Sequence, residues 1–520
     1  MSGHVFVVHG DLTHLACDHW LLPTDRALTL TDAWLPVFAA DAVEPGEGGV
    51  PCLRLDSAAD GFRGGDTRVL PVPGDRLRDP RPESIRTRAQ PWLLDIGTER
   101  GVDPRWLVDG VRQWLTATGD ARGSSDRTRP LVALPLVGTG GGGATDRRDE
   151  VLGELLPALH EHAEAQGVDV ALVLNDPRDH AAAQDVRRRL GDRCWDLDET
   201  LVDGAGRIAA TVSGGRLALF LGAGVSRAAG LPLWHELIEE LLEEAAVDPA
   251  ERAAIERLDV QDQTEVLSRQ LDGGAEELRR WIRHRFAPRP HALAHALLAG
   301  LGVGEAVTTN WDPLFEQAVA DTGRRLAVLP YDDPDDADAW LLKLHGDVRH
   351  EQDIVVRRSD YLRFGADQNA LAGVVHALLL TRHVLFVGFS LVDDNFIRIA
   401  DDVTRVADRT LGTTVALHRD PAKETLWPHL DHLVVQPDDH GVDDDAGELA
   451  RRLEIFLDLL SARVDRGQQY LLDERYRGLL GEADRRLAEQ LQQLAEQAPE
   501  LQGSPSWARV QALLDTLGRR

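Results

Sequence analysis

One short segment constrains the fold more than any other part of the chain. Residues 217–221 form the apolar run Leu-Ala-Leu-Phe-Leu, which leads directly into the turn Gly-Ala-Gly-Val-Ser at 222–226. A short and fully apolar run is typical of a strand buried on both faces of a parallel sheet. Glycines at the end of such a strand let backbone amides approach a diphosphate, and the N-terminus of the following helix adds partial positive charge. The segment therefore predicts an α/β fold with a phosphate-binding turn.

Polar residues or glycines follow three further predicted strands of the same region. The predicted strands are 305–308, 340–344 and 384–387, and the residues that follow them are Thr309, Asn310 and Asp312, then His345, then Gly388 and Ser390. Because parallel strands bring their carboxyl ends to one edge of a sheet, we expect these side chains to surround a single ligand. An amide can orient a water molecule, and an imidazole can accept a proton near neutral pH. The pattern predicts a doubly wound parallel sheet with a reactive site at that edge.

The 520 residues are enough for several domains, and the sequence divides into three regions. Residues 1–197 alternate strand and helix patterns and contain a run of glycines at 138–143. Residues 198–462 contain the four strand ends described above, and residues 463–520 carry leucines at helical spacing. We expect two α/β domains followed by a helical tail, which either packs on its own body or contacts another chain.

Composition narrows the classes of function. Acidic residues outnumber Lys and Arg by 87 to 57, which gives a formal charge of -30 and disfavours direct binding to nucleic acid or to an anionic membrane. Lysine occurs only at 343 and 423, and neither follows a glycine, so the Gly-Lys-Ser/Thr phosphate loop is absent. The three cysteines, Cys17, Cys52 and Cys194, form no CxxC pair. Without an apolar N-terminal leader or spanning segment, the expected location is the cytoplasm.

The motifs GAGVS, TTNWD, LHGD and VGFS together resemble the sirtuin family in its bacterial variant form, over about residues 200–460. This resemblance implies a Rossmann-like domain that takes NAD as its substrate. It implies that Asn310 and Asp312 line the nicotinamide-ribose pocket and that His345 is the catalytic base. The cofactor-binding residues it implies are Gly222, Ala223, Gly224 and Ser226 at the phosphates, Trp234 in the place of the family's aromatic residue, Thr309, and Gly388 with Ser390 on the adenosine side.

The chain departs from sirtuin deacylases in two places. Those enzymes carry a four-cysteine zinc module between the histidine and the late glycine motif, whereas residues 345–388 contain no cysteine. We therefore expect no zinc lobe and no metal site. His291 and His295 have a spacing that can bind zinc, but no third ligand is evident, and packing is the favoured role. The loop 230–235 reads GLPLWH in place of the family's GIPDFR, which disfavours acyl-lysine chemistry.

The first region resembles a macro domain. Its opening strand ends in Gly10-Asp11-Leu12-Thr13, and the glycine run 138–143 stands where that family has a phosphate loop. The asparagine pair of macro hydrolases is replaced by residues 23–25, Pro-Thr-Asp. The resemblance implies binding of ADP-ribose or NAD without hydrolysis, and a degenerate scaffold is the alternative.

Taken together, the sequence predicts an NAD glycohydrolase that releases nicotinamide and ADP-ribose, similar to the NAD-depleting effectors of anti-phage defence. Two alternatives remain open: a non-catalytic NAD or ADP-ribose sensor or scaffold, and an NAD-dependent deacylase or ADP-ribosyltransferase. Unregulated NAD cleavage would kill the host. We therefore expect control through a homo-oligomer, a phage-derived activator or an operon-encoded partner protein.

Overall fold

The structure is a computed structural model with two compact units. It describes residues 2–56, 59–78, 89–97, 101–119, 127–140, 142–191, 194–367, 369–407, 409–437, 445–465, 469–496 and 504–519. The first unit comprises Met1–Thr13, Cys17–Asp196 and Asp465–Arg520, and the second comprises His14–Ala16 and Leu197–Val464. The predicted tail at 463–520 is therefore grouped almost entirely with the first unit.

The first unit is built on a mixed six-stranded sheet. Its strands and helices before residue 197 are β1 Val5–His9, β2 His19–Thr24, β3 Val43–Pro45, β4 Pro51–Leu53, α1 Asp60–Gly64, β5 Val69–Pro71, β6 Gln90–Asp95, α2 Pro104–Ala117, β7 Leu131–Leu134, α3 Arg148–Gln166, β8 Asp169–Leu174 and α4 Pro177–Leu190. The sheet order is β1-β8-β7-β2-β6-β5, with only β5 antiparallel to its neighbour, and β3 pairs with β4 separately. Within the predicted glycine run, Gly141 lies outside the described residues. The resemblance to a macro domain stays a prediction.

The second unit alternates strands and helices throughout. Its elements are α5 Glu199–Ser213, β9 Leu217–Leu221, α6 Trp234–Glu244, α7 Pro249–Ile255, α8 Val260–Gln270, α9 Ala275–Arg285, α10 Leu293–Gly300, β10 Glu305–Thr308, α11 Leu314–Asp321, β11 Leu326–Leu329, β12 Ala339–Lys343, α12 Arg358–Asp367, α13 Asn369–Thr381, β13 His383–Val387, α14 Asp394–Val406, β14 Gly412–Ala416, α15 Pro421–Leu426, β15 Leu430–Val434 and α16 Ala446–Val464. None of the helices in the described ranges is long and apolar enough to cross a membrane.

The tail adds two helices to the first unit, α17 Glu482–Glu496 and α18 Pro505–Thr516. Its Tyr476 is fully buried, and the phenol donates a hydrogen bond to Asp179 of α4 at 2.7 Å. Tyr470 donates to Asp185 of the same helix, also at 2.7 Å. The tail is thus part of the first unit's core, because its aromatic residues find both apolar cover and carboxylate acceptors there.

The sheet of the second unit places the four motifs side by side. Its order is β11-β12-β10-β9-β13-β14-β15, and every pair is parallel. The central strands β12, β10, β9 and β13 are the ones that the four motifs follow. The chain winds outward in one direction from β9 and then in the other, which creates a crevice at the carboxyl edge between β10, β9 and β13. The predicted α/β fold with a doubly wound parallel sheet is confirmed.

An aromatic cluster joins two central strands of this sheet to helix α14. Phe220 of β9 and Phe386 of β13 stack at 5.4 Å between ring centroids, and Phe396 of α14 meets both rings edge to face. All three side chains are buried. Aromatic pairs of this kind add about 0.5–1.5 kcal/mol each beyond the burial of their area. The strand ends that carry the motifs are therefore fixed to one well-packed core.

Candidate active site

The turns after β9 and β13 are in direct backbone contact. The amide of Gly224 donates to the carbonyl of Gly388 at 3.0 Å. A Cβ atom at Gly222 would stand 2.4 Å from that same carbonyl oxygen, and Gly388 adopts a φ of 64° that side chains rarely tolerate. These glycines therefore let two loops close on each other. The Gly224 amide is already used within the protein, which leaves fewer amides in this turn for a diphosphate.

A cavity of about 1000 Å³ opens above these turns. It lies at the carboxyl edge of the sheet, where a doubly wound fold binds its ligands. The predicted residues that line it are Ala223, Gly224, Ser226, Trp234, Thr309, Asn310, Asp312, His345, Gly388 and Ser390. Gly222 does not line the cavity, although its carbonyl accepts a hydrogen bond from the Asn310 amide at 3.1 Å. The fold thus brings the predicted site residues together, while their individual roles remain predictions.

Ser226 is the centre of a buried hydrogen-bond network. Its hydroxyl donates to Oδ2 of Asp312 at 3.0 Å and accepts from the amide group of Asn310 at 3.2 Å. It also meets Nε2 of His295 at 3.2 Å. A serine hydroxyl has one hydrogen and two acceptor positions, so these three contacts saturate it. The predicted contact between Ser226 and an NAD phosphate would require the hydroxyl to release Asp312.

The network fixes what Asn310 and Asp312 can offer to a ligand. Both hydrogens of the Asn310 amide are engaged, by Gly222 and Ser226, so its carbonyl oxygen is the atom that can orient a water or a ribose hydroxyl. Asp312 is buried, and its other oxygen accepts from the backbone amide of Leu314 at 3.1 Å. A carboxylate has about four acceptor positions, so after these two hydrogen bonds it can still accept one from a carboxamide.

His295 orients this network from below, a role that the sequence did not predict. The backbone amide of Ala292 donates to its Nδ1 at 3.2 Å, so the neutral ring carries its proton on Nε2 and donates to Ser226. Burial first, and then the nearby His291, lower the pKa of His295 to about 3. The ring therefore stays neutral, and it cannot act as a base that activates Ser226. His291 contacts Asp321 instead, at 3.0 Å.

His345 stands on the other side of the cavity with two partners. Its Nε2 lies 3.3 Å from Oδ2 of Asp393, and its ring meets Tyr361 edge to face at 5.2 Å between centroids. All three residues line the cavity. Asp393 was visible in the sequence only as one of three polar residues after the late glycine motif. Tyr361 lies on helix α12 and carried no motif at all.

Lys343 supports the loop that carries Asn310 and Asp312. This lysine is fully buried and donates to the backbone carbonyls of Trp311, at 3.3 Å, and Asp312. Its ammonium also lies 2.9 Å from Glu316 and 3.2 Å from Asp347. Burial lowers the pKa of Lys343, but the surrounding carboxylates raise it more, and the net pKa is above the ordinary value. A charged lysine therefore holds the loop in place.

An aromatic wall closes one end of the cavity. The ring of Trp311 meets Trp234 and Phe286 edge to face, with centroids 5.4 and 5.3 Å away. Trp234 also lines the cavity, and its flat apolar surface suits an aromatic ring of a ligand. The opposite end, after β14, is lined by His418, Arg419 and Lys423. No motif in the sequence pointed to these last three residues.

Among the residues that the structure describes, no group of three or more His, Cys, Asp or Glu side chains is arranged to hold a metal ion. The cavity is instead lined by an amide, a carboxylate and an imidazole, from Asn310, Asp312 and His345, with aromatic side chains at one end. The site lies at the switch point of a parallel sheet, which is where doubly wound α/β proteins bind their ligands.

Comparison with known proteins gives a family match within this part of the chain. Residues 304–432 match the SIR2-like domain family. The matched range lies in the second unit and contains three of the four motifs, TTNWD, LHGD and VGFS, while GAGVS at 222–226 lies before it.

Several curated proteins match this chain over about two fifths of its length. An "NAD(+) hydrolase ThsA" from Enterococcus faecium is 29% identical over 205 residues, which cover 38% of this chain and 42% of that protein. The protein of the same name from Bacillus cereus is 27% identical, and the match covers 37% of this chain and 40% of that protein. A "Defense-associated sirtuin 2" from Bacillus subtilis is 24% identical, and the match covers 44% of this chain and 24% of that protein. The chain thus spans less than half the length of these curated relatives.

One solved structure, described as "Structural Basis for the Mechanism and Regulation of Sir2 Enzymes", is 16% identical with a TM-score of 0.29. The match covers 49% of this chain and 97% of that one.

Proposed function

We propose that the second unit cleaves NAD into nicotinamide and ADP-ribose. The observation that carries this proposal is the meeting of Asn310, Asp312 and His345, from two neighbouring strands, around one cavity at the carboxyl edge of the sheet. The names of the relatives from Enterococcus faecium and Bacillus cereus support the same activity.

The chemistry requires the bond between the nicotinamide nitrogen and the ribose C1′ to break. The departing nitrogen keeps the bonding electron pair and becomes neutral, which leaves a cation-like ribose. Water then bonds to C1′ and loses one proton. The products are nicotinamide, ADP-ribose and that proton, so atoms and charge balance.

Each of the three residues has a task in this scheme. The carbonyl oxygen of Asn310 accepts a hydrogen bond from the attacking water or from a ribose hydroxyl. Asp312 accepts a hydrogen bond from the carboxamide of the departing nicotinamide, and its negative charge favours the cation-like sugar. His345 accepts the proton that the water loses. Trp234 and Trp311 offer the apolar surface against which the nicotinamide ring stacks.

The proposal extends to the biological setting. The relative from Bacillus subtilis is named as defence-associated, which supports a role in anti-phage defence through depletion of NAD. We place the activity in the cytoplasm, where the NAD pool lies. We propose that a homo-oligomer, a phage-derived activator or an operon-encoded partner controls it.

The first unit is proposed to bind ADP-ribose through its macro-like features. In support, Asp11 shapes the turn after β1 by accepting from the amide and hydroxyl of Thr13, at 2.8 and 2.7 Å. Calorimetric titration of the full chain with ADP-ribose tests this extension. Two bound molecules per chain support it, and a single one, lost on substitution of Asn310, removes it.

Incubation of the purified full chain with NAD tests the activity itself. The proposal predicts equal amounts of nicotinamide and ADP-ribose by chromatography, with no need for an acetyl-lysine peptide. Release of nicotinamide only when the peptide is present would favour a deacylase instead. Binding of NAD without any release, in the presence of infected-cell extract, would favour a sensor.

A further inference from the structure

Asp393 is placed to act on His345. Its Oδ2 lies 3.3 Å from Nε2 of the imidazole, and the side chains are 9% and 2% exposed. Both residues line the cavity, yet they come from different strands: His345 follows β12 and Asp393 follows β13. An imidazole that accepts a proton beside a carboxylate gains a counter-charge, and its ring is held in one orientation.

The carboxylate of Asp393 is itself fixed at both oxygens. Oδ1 caps helix α14 by accepting from the backbone amide of Phe396 at 2.9 Å. Oδ2 accepts from the phenol of Tyr361 at 3.1 Å. Tyr361 is buried, and its ring also packs against the edge of His345. Two donors on separate helices thus hold the carboxylate where it meets the imidazole.

Of the two neighbouring aspartates, Asp393 lies at the imidazole of His345. The neighbouring Asp394 is turned to Arg358, whose guanidinium lies 3.5 Å from it and 2.8 Å from Asp262. Burial raises the pKa of Asp393, but His345 and the hydrogen bonds from Phe396 and Tyr361 lower it more, and the net pKa is below the ordinary value. Asp393 is therefore ionised at neutral pH.

We infer that Asp393 is a positioning residue for His345: it orients the imidazole and balances the positive charge that the ring acquires when it accepts a proton. Tyr361 keeps the carboxylate in place for this task. This inference rests on the proposed NAD cleavage for its kinetic consequence. The inference also makes a prediction that does not depend on turnover: because Nε2 is the ring nitrogen that lies 3.3 Å from the carboxylate, we expect the neutral ring to carry its proton there.

Asp393→Asn provides the kinetic test on the full chain. Asparagine caps a helix as well as aspartate does, so the fold of α14 is kept while the charge is lost. We expect kcat for nicotinamide release to fall about 10-fold, less than the about 10²–10⁴-fold contributed by a general acid or base itself because Asp393 acts through His345, with KM for NAD changed less than about threefold. Tyr361→Phe should lower kcat by a smaller factor. The control Asp401→Asn removes an exposed carboxylate from the same helix and should leave kcat unchanged.

The second test does not depend on turnover. In protein labelled with ¹⁵N-histidine, the signals of His345 are assigned by their loss in His345→Gln. The inference predicts the proton of the neutral ring on Nε2 in the wild type, and a changed proton distribution in Asp393→Ser, which retains a capping side chain but is too short to reach the ring.

The outcomes separate this inference from the proposed function. An unchanged kcat in Asp393→Asn, or identical ring signals in the wild type and Asp393→Ser, would overturn the role of Asp393. A wild type that releases no nicotinamide but shows the expected change in the ring signals would count against NAD cleavage and leave the His345–Asp393 pair standing.

Discussion

The hydroxyl of Ser226 donates to Asp312 at 3.0 Å while it accepts from the amide of Asn310 at 3.2 Å. One side chain from the turn after β9 therefore fixes two side chains from the loop after β10. The glycine-rich turn orients the reactive residues as well as shaping the crevice, because its serine is the point where their hydrogen bonds meet.

Substitution of Ser226 by alanine tests this relationship. Without the hydroxyl, Asp312 loses a donor and Asn310 an acceptor, and we expect kcat for NAD cleavage to fall about 10-fold with a loss of about 1–2 kcal/mol in the free energy of unfolding. Ser268→Ala is a matched control, since that buried hydroxyl bonds only within its own helix. Equal rates for the two variants would show that the Ser226 network has no part in catalysis.

Lys343 offers a test of the support beneath the site. Lys343→Met removes the buried cation between Glu316 and Asp347, while the half-exposed Arg349 still lies 3.1 and 2.6 Å from the two carboxylates. Removal of one partner of a buried ion pair costs about 3–5 kcal/mol, and because Arg349 remains we expect a loss at the lower end of that range. Chemical denaturation should detect this loss. Arg405→Met breaks an exposed pair and should change stability by less than about 1 kcal/mol. A Lys343 variant as stable as the control would mean that the buried cation does not support the loop.

Asp347 predicts how stability depends on pH. Burial raises its pKa, but Arg349 and Lys343 lower it more, to about 2. Because the folded pKa is below the unfolded one, this carboxylate stabilises the fold above about pH 4, and the stabilisation is lost as the pH falls towards 2. Asp347→Asn should therefore lower stability at pH 7 and flatten its pH dependence between 4 and 2. Urea denaturation measures the free energy of unfolding at each pH. If its dependence on pH between 4 and 2 is the same in Asp347→Asn as in the wild type, the lowered pKa does not belong to Asp347.

Trp234 tests the aromatic end of the cavity. If nicotinamide stacks there, Trp234→Ala should raise KM for NAD about 10-fold and affect kcat less, while Trp234→Phe should be milder. Trp281 packs against the same helical cluster but does not line the cavity, so Trp281→Phe serves as a control for packing. A fall in kcat alone, with KM unchanged, would mean that the nicotinamide ring of NAD does not stack on Trp234.

The sequence predicted the centre of the second unit closely. The apolar run at 217–221 coincides with β9, because a strand buried on both faces leaves an uninterrupted apolar signal, and the strand predicted at 305–308 coincides with β10. Strand β14 was not predicted, since Gly-Thr-Thr-Val-Ala carries little of that signal and becomes a strand only through its pairing with β13 and β15.

The partners within the site were harder to predict than its main residues. Asn310, Asp312 and His345 end strands and stand in motifs, so their convergence follows from the topology of a parallel sheet. His295 was interpreted as a packing residue, because nothing in its helix shows that its ring reaches the Ser226 hydroxyl. Tyr361 and Asp393 are 32 residues apart and meet only in the folded chain. Such contacts are set by tertiary packing, which a local pattern does not encode.

The rate of nicotinamide release from NAD by three variants of the full chain tests the central claim most directly. Asn310→Ala and His345→Ala should each lower kcat at least 100-fold, while His350→Ala, which removes an exposed histidine five residues away, should behave as the wild type. If Asn310→Ala and His345→Ala cleave NAD as fast as the wild type does, the cavity between β10 and β12 is not the site of the reaction.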